Sequence, residues 1–302
     1  MTHEKRMRRL RRSMMFLNAQ RPALIKDAYI YKPDSLMLDL EDAVAENQKD
    51  AARFSLYNAL KSVDYRGVER IVRINGLDTP HWQEDIRVTV AGRADGIRIA
   101  KCETAQDVLT VVEHIEKAEE EFGVEKGFTL VMAALESPLG IINAYDICKA
   151  CPERLFGVAI SGGDYRKSMQ ASFNPGGIEM MGGRANMLIA ARAAGVQCFD
   201  TVFTDVDDMD GFREEVIQNK QMGFDGKSLI SPRQIAIVHE IFTPTQREIR
   251  NAERIVRAVR EQAAQGIGVF TLDGKMLDIA FVPGAERTIE LAKASGVYEG
   301  DL

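Results

Sequence analysis

The 302-residue sequence is poor in the groups that build zinc and disulfide sites, with four cysteines and four histidines. Among Cys102, Cys148, Cys151 and Cys198, only Cys148 and Cys151 form a C-x-x-C, and no second pair or nearby His completes a zinc set. Flanked by Tyr145-Asp-Ile and Lys149-Ala, these two read as helix positions. Inert thiols in a reducing cytoplasm are the expectation. No apolar run approaches the ~20 residues of a bilayer span, and no signal peptide is recognisable. No G-x-G-x-x-G follows the first apolar run, which removes the usual mark of an open dinucleotide-binding sheet. A net charge of −6 gives the chain no general attraction for nucleic acid.

Positive charge is concentrated at the start, in Lys5, Arg6, Arg8, Arg9, Arg11 and Arg12. Such a run is expected to be a solvated arm. The functional alternative places Arg11 or Arg12 near a ligand phosphate, because the run leads directly into the first apolar segment.

The most informative stretch is Leu130-Val-Met-Ala-Ala-Leu-Glu-Ser-Pro-Leu-Gly140. Six apolar residues bounded by turn residues read as a strand buried on both faces, as in a parallel sheet. A carboxylate ending such a strand is unfavourable unless something pairs with it. Glu136 therefore either holds a cation or substrate at the mouth of a site, or bonds a neighbouring Arg or backbone amides.

The same pattern repeats along the chain. Apolar, β-rich runs fall at 14–17, 36–40, 70–74, 96–99, 130–135, 155–160, 198–203 and 228–230. Helical stretches at 50–61, 104–122, 141–150, 183–194 and 211–222 lie between most of them. Thr104 is placed as an N-cap, and Gly123 and Gly195 as C-terminal caps. Eight strands alternating with helices predict a closed (β/α)8 TIM barrel of the α/β class over 13–240.

Polar residues gather at the C-terminal ends of these strands, where barrel chemistry occurs. They are Asp39, Glu41 and Asp42, then Arg73 and Asn75, then Lys101 and Glu103, Glu136, Ser161 to Asp164, and a last run through Lys227 to Ser231. Glu136 and Asp164 lie 28 positions apart, about one βα repeat, and should end adjacent strands. Two such carboxylates suit Mg2+, which takes one or two from the protein and fills its other positions with water and substrate. The planar fork of Arg73 matches a substrate carboxylate, although it could also pair with Glu41 or Asp42.

The segments Met14-Met-Phe16, Leu38-Asp-Leu-Glu-Asp-Ala-Val44, Arg73-Ile-Asn75, Ala134-Leu-Glu-Ser-Pro-Leu-Gly140, Gly163-Asp-Tyr165, Gly223-Phe-Asp-Gly-Lys227 and Gly274-Lys-Met276 with Asp278 together resemble the citrate lyase β-chain family. This group lies within the HpcH/HpaI aldolase/citrate lyases and also contains malyl- and citramalyl-thioester lyases. The resemblance implies a Mg2+ held by Glu136 and Asp164, a keto-acid carboxylate bound by Arg73, and Asp278 as acid or base on a C-terminal lid, often supplied by a neighbouring subunit. Asp39, Glu41, Asp42 and Lys101 are expected beside the substrate. The implied reaction cleaves a citryl thioester, on an acyl carrier protein or CoA, to oxaloacetate and an acetyl thioester.

Carrier and transferase subunits would then be partners, with a basic patch at Arg8 and Arg9 as one place for an acidic carrier to dock. The chain itself is expected to be a homo-oligomer, a trimer or hexamer. A free-standing malyl- or citramalyl-CoA lyase, and a barrel that binds an acyl thioester without cleaving it, are the alternatives. Three departures from the family pattern stand out: Asn18-Ala19 where Pro-Gly is usual, Ala100 in place of proline, and Gly163 where Glu is common. None removes an expected metal ligand.

The tail, 241–302, is expected to be a helix-hairpin lid and subunit contact. Thr243-Pro-Thr-Gln246 reads as a capping box with proline at the first helical position. Ile249, Ala252, Val256 and Val259 form an apolar face expected to dock on the barrel. Asp273-Gly274 between apolar residues signals a hairpin, with Asp278 at the end of its second strand.

Overall fold

The computed structural model describes residues 1–302, which divide into two compact units, 1–239 and 240–302. In the first, eight parallel strands close into a barrel in sequence order: β1 (Ser13–Asn18), β2 (Ser35–Asp39), β3 (Glu69–Ile74), β4 (Gly96–Ile99), β5 (Leu130–Leu135), β6 (Leu155–Ile160), β7 (Gln197–Asp200) and β8 (Gly226–Leu229). Pairing of β8 with β1 completes the ring. The helices are α1 (His3–Met7), α2 (Pro22–Asp27), α3 (Lys49–Ser62), α4 (Trp82–Ala91), α5 (Ala105–Phe122), α6 (Pro138–Ile142), α7 (Ala144–Lys149), α8 (Gly162–Ser168), α9 (Ile178–Ala194), α10 (Met209–Met222) and α11 (Arg233–Phe242). No helix is long and apolar enough to cross a membrane.

The barrel interior is layered, and the layering follows from strand alternation. Side chains two apart share a face, and β2 reads Ser35, Met37, Asp39 where β3 reads Glu69, Ile71, Arg73. The two strands pair with these residues opposite one another. A polar floor, an apolar middle and a polar mouth result. The middle holds Met14, Met37, Ile71, Leu130, Met132, Phe156 and Phe199 in one buried cluster.

The floor overturns the expectation of a solvated basic arm. Arg11 is 1% exposed. Its Nε and Nη2 donate to Glu69 Oε2 and Oε1 at 2.8 and 2.7 Å, and Nη1 donates to Gln197 at 2.5 Å. The guanidinium lies 3.8 Å from the centre of the Phe156 ring, and Ser35 donates to Glu69 at 2.6 Å. Arg12 pairs with Asp34 at 2.9 Å. Both arginines close the N-terminal end of the barrel, away from the strand ends where a ligand phosphate was the alternative. Arg8 remains exposed at that same end, pairing loosely with Glu4 at 4.0 Å.

Strands β4, β5 and β6 have the expected limits, and the ends of the others shift by one to three residues. β7 ends at Asp200, short of the expected 203, because Thr201 turns to other partners. Its hydroxyl accepts from the Gly162 amide at 2.8 Å and its carbonyl from Lys227 Nζ at 2.7 Å. Lys227, expected among the residues at the mouth, is fully buried and bonds Asp200 of β7 and Glu215 of α10 at 2.8 and 2.6 Å. Arg184 of α9 bonds the same two carboxylates at 2.8 and 2.9 Å, so this network ties barrel to helices. The expected helix at 141–150 divides into α6 and α7 at Asn143, whose amide donates to the Glu103 carbonyl at 2.8 Å.

Thr104 forms a full capping box with Asp107, and Gly123 and Gly195 cap their helices with φ of 61° and 76°. Cys148 lies on α7, Cys151 just past it, and all four cysteines are free and buried. Burial pushes the Cys148 and Cys151 thiols up to about 12, which keeps them protonated and unreactive.

In the second unit, α12 (Gln246–Ala264), β9 (Val269–Leu272), β10 (Lys275–Asp278) and α13 (Val282–Ala294) follow in order. The helix cap is Thr245, not Thr243: its hydroxyl accepts from the Glu248 amide while Glu248 accepts from the Thr245 amide. The apolar face of α12 finds a cover the sequence did not reveal, as Ala252 and Val256 pack with Ala285 and Ile289 of α13. β9 and β10 pair antiparallel around Asp273 and Gly274, both left-handed at φ 50° and 76°, as the Asp-Gly signal predicts.

Breaking the floor pair by Arg11→Met should lower stability by about 3–5 kcal/mol, because Glu69 would stay buried without a partner. Adding Glu69→Gln should then lower it by much less than in the otherwise unchanged protein. Urea unfolding of the two single variants and the double variant measures this, and strictly additive losses would show that the residues are uncoupled.

Candidate active site

The C-terminal strand ends assemble a second polar cluster. Asp39 ends β2, Arg73 and Arg98 lie inside β3 and β4, Glu136 follows β5, and Ser161 to Asp164 lead from β6 into α8. Phe16, Asp39, Asp42, Arg73, Arg98 and Asp164 line one cavity of about 410 Å3. Thr201, Ser228 and the Ser161-Gly162-Gly163 turn line its other side.

Arg73 is gripped on the protein side. Its Nε and Nη2 donate to Asp39 Oδ1 and Oδ2 at 2.7 and 2.6 Å, and Nη1 pairs with Glu41 at 2.7 Å. The fork expected to clamp a substrate thus clamps Asp39, and the pairing with Glu41 is also realised. Asp42 stands farther off, at 3.8 Å. Burial opposes charge on Arg73, but Asp39, Glu41 and Glu136 outweigh it and hold its pKa above the usual arginine value. Lys101 sits in the left-handed region at φ 50°, which is unusual for a side chain of this size. That turn carries its ammonium to 2.9 Å from Glu41, and this bond raises its pKa against a smaller effect of burial.

Supporting contacts hold the loop after β2. Lys49 Nζ donates to the carbonyls of Leu40 and Glu41 at 2.9 and 2.8 Å and to Asn75 Oδ1 at 2.6 Å. Asn18 donates to the Ala43 carbonyl at 2.5 Å, so the unusual Asn18-Ala19 turn braces the loop that carries Asp42. A Cβ on Gly162 would come within 3.0 Å of the Thr201 hydroxyl, whereas one on Gly163 would meet nothing within 4 Å. A side chain at 162 would therefore have to push Thr201 and Arg166 aside, while 163 has room for one.

Three groups in this cluster have buried polar atoms without a well-formed hydrogen bond: Glu41, whose oxygens are held as ion pairs by Arg73 and Lys101, and Glu136 and Arg98, which share the Ser161 hydroxyl as a neighbour and have no ion pair. Glu136 is 2% exposed, yet neither carboxylate oxygen accepts a hydrogen bond of good geometry. Neither Arg nor backbone amides satisfy it, contrary to the structural alternative. Burial pushes its carboxyl up to about 7, against the pull of the Arg98 and Arg73 charges. Arg98, which the sequence did not single out, is also 2% exposed, and its Nε and Nη1 have no partner. Burial and the like charge of Arg73 lower its pKa to about 10. The signal for Arg98 was present in strand parity, since it pairs in register with Arg73 and so shares its face of the sheet.

Around the cavity three cations, Arg73, Arg98 and Lys101, meet five carboxyl groups, Asp39, Glu41, Asp42, Glu136 and Asp164. This surplus, together with the orphaned Glu136 carboxylate, fits a divalent cation held by oxygen ligands. Glu136 stands just past β5, and Asp164, half-buried, stands in the first turn of α8 after the adjacent strand β6; these two carboxylates could hold such an ion. In the other unit, Asp278 accepts from the Ala280 amide at 2.8 Å.

The sequence model of the HpcH/HpaI aldolase/citrate lyase family matches residues 12–232. The chain belongs to this family. A second model, for carbon–carbon bond lyases of the TIM-barrel fold, matches residues 177–297 of this family member. The citrate lyase subunit beta of Leuconostoc mesenteroides subsp. cremoris is 45% identical over 97% of each chain. A (3S)-malyl-CoA thioesterase of Cereibacter sphaeroides is 33% identical over 95% of this chain and 96% of its own. The crystal structure of protein CitE from Mycobacterium tuberculosis, in complex with magnesium, acetoacetate and coenzyme A, superposes with a TM-score of 0.76 at 27% identity, covering 93% of this chain and 98% of that one. As a member of this family, the protein is a carbon–carbon lyase.

A carboxyl group whose pKa is higher in the folded than in the unfolded state favours folding fully below the unfolded value and loses that contribution as pH rises through the folded one. For Glu136 the window runs from about 4.5 to about 7. In EDTA, stability relative to Glu136→Gln should therefore fall by on the order of 3 kcal/mol between about pH 4 and about pH 8. Thermal unfolding across that range checks this; a difference independent of pH would show that Glu136 is not held protonated.

Proposed function

We propose that this lyase cleaves a citryl thioester, carried by an acyl carrier protein or CoA, to oxaloacetate and an acetyl thioester. The observation that carries this reading is the buried Glu136 carboxylate, without a well-formed hydrogen bond, near a cavity lined by Arg73, Arg98 and three aspartates, on a chain 45% identical to a citrate lyase subunit beta. Mg2+, with Glu136 and Asp164 as its protein ligands, supplies Lewis-acid stabilisation of the negative charge that develops on substrate oxygens.

The chain's own groups then orient the substrate. Arg73, preset by Asp39 and Glu41, draws the carboxylate of the keto-acid portion, and Lys101 adds positive charge at the mouth. Removal of the hydroxyl proton lets the C–C bond break and oxaloacetate leave. The acetyl-thioester enolate left behind takes a proton from Asp278 or from water. Asp278 belongs to the 240–302 unit, which is proposed to act as a lid and as a contact between copies of the chain, with a neighbouring subunit supplying the aspartate. Carrier and transferase subunits complete the proposed assembly, in the cytoplasm. Arg8 and Arg9 are less suited to docking the carrier than expected, since they lie at the N-terminal end of the barrel, opposite the cavity. The malyl-CoA reading draws on the weaker likeness to the Cereibacter protein.

Purified protein should release oxaloacetate from citryl-CoA with Mg2+ and stop in EDTA, and Glu136→Gln and Asp164→Asn should each lower kcat/KM by about 10²-fold or more. Asp278→Asn should lower kcat with little change in KM, as expected of a proton donor used in the transition state. Release that persists in EDTA, or in Glu136→Gln, would overturn the metal site. Silence with citryl, malyl and citramalyl thioesters, on CoA and on carrier, would leave a binding subunit.

A further inference from the structure

Arg98 is an anomaly among the buried cations of this barrel. Arg11 has Glu69, and both Arg184 and Lys227 have Asp200 and Glu215. Arg98 is as deeply buried, but its one partner is the neutral Ser161 hydroxyl, reached by Nη2 at 2.7 Å. Nε and Nη1 have no hydrogen-bond partner, Arg73, a like charge, stands in register on the neighbouring strand, and the nearby Glu136 carboxylate offsets the Arg98 charge without hydrogen-bonding it. A buried guanidinium left in this state destabilises the free protein, so its presence calls for a partner that arrives from outside.

Geometry says what that partner is. Arg98 is one of the residues that line the cavity, and its unpartnered Nε and Nη1 are themselves buried just behind that wall. Nη2 carries two hydrogens and Ser161 takes one, which leaves one two-pronged edge of the guanidinium open. That edge matches a carboxylate in two parallel hydrogen bonds. Arg73 cannot offer the same grip while Asp39 occupies its own fork. The Phe16 ring lies 5.1 Å from the Arg73 guanidinium carbon and 5.3 Å from that of Arg98, so both cations share one aromatic neighbour.

We infer that Arg98 is the specificity-determining residue of this cavity, binding the second carboxylate of the keto-acid portion. This is the CH2COO− arm that a citryl thioester has and a malyl thioester lacks. The inference rests on the proposed lyase reading for its substrate, while its core, a second carboxylate subsite, can be measured without turnover. A site built around an unpaired buried cation discriminates strongly against an analogue without the matching anion, because the cation then stays unpaired.

The test uses the full-length protein and Arg98→Met. With Mg2+ present, kcat/KM for citryl-CoA should drop about 10²–10³-fold, while that for malyl-CoA should change less than about 3-fold. Calorimetry with oxaloacetate and pyruvate, which differ by the one carboxylate, gives an independent reading. Wild type should prefer oxaloacetate and Arg98→Met should lose the preference. The thermal midpoint of Arg98→Met should not fall, since the substitution removes an unpaired buried charge. Equal losses for both thioesters, an unchanged oxaloacetate preference, or a lowered thermal midpoint would each overturn the assignment. No turnover of any thioester together with an oxaloacetate preference that Arg98→Met abolishes would instead sink the lyase reading and leave the subsite standing.

Discussion

The Arg73–Asp39 pair is the contact on which the mouth of this barrel depends. It joins β2 to β3 at their C-terminal ends with two parallel hydrogen bonds. It also fixes where the remaining charges can go. Glu41 approaches because Arg73 has one nitrogen left, and Lys101 adopts a left-handed backbone to reach Glu41. The chain Asp39–Arg73–Glu41–Lys101 is thus a self-satisfied rim. Its charges balance by ion pairs within the protein, and this separates it from Glu136 and Arg98 beside it, which have no ion pair of their own.

Glu136 and Arg98 are the unsatisfied pair. Each is buried, each lacks partners for most of its hydrogen-bonding groups, and each is shifted toward its neutral form by burial. Proteins lose stability by keeping such groups, and the loss is concentrated where ligands bind. In the proposed reading a divalent cation would answer the carboxylate and a substrate carboxylate the guanidinium. The opposite end of the barrel shows the same residue types used differently. There Arg11 and Glu69 satisfy one another, with Gln197 and Ser35 completing the network, and the result is a plug.

Much of this was legible along the chain. Eight apolar runs separated by helical stretches are read correctly as a barrel because parallel strands buried on both faces leave uninterrupted apolar segments. The Asp273-Gly274 turn and the Thr104 cap are equally local, since turn and cap geometry depend on a few adjacent residues. What escaped notice had a long-range cause. Helix α4 carries a buried Asp85 and a Val-Thr-Val run, so neither its polarity nor its β-branched residues point to a helix, and only its packing between neighbours makes one. The apolar face of α12 announced that it would be buried, but not that α13 would bury it.

The order of strands and helices, the closed barrel, and the positions of Asp39, Arg73, Glu136 and Asp164 at or beside strand ends are written in the amino-acid pattern, because periodicity and turn chemistry are properties of neighbouring residues. Which charges satisfy one another depends on how the strands and helices pack. Arg11 and Arg98 are both arginines in or just before barrel strands, and nothing local distinguishes a plug from a ligand-facing cation. The difference lies in what the other strands bring opposite them: Glu69 and Gln197 for one, an open cavity for the other. Hydrogen bonding of a buried charge is settled by partners tens of residues away.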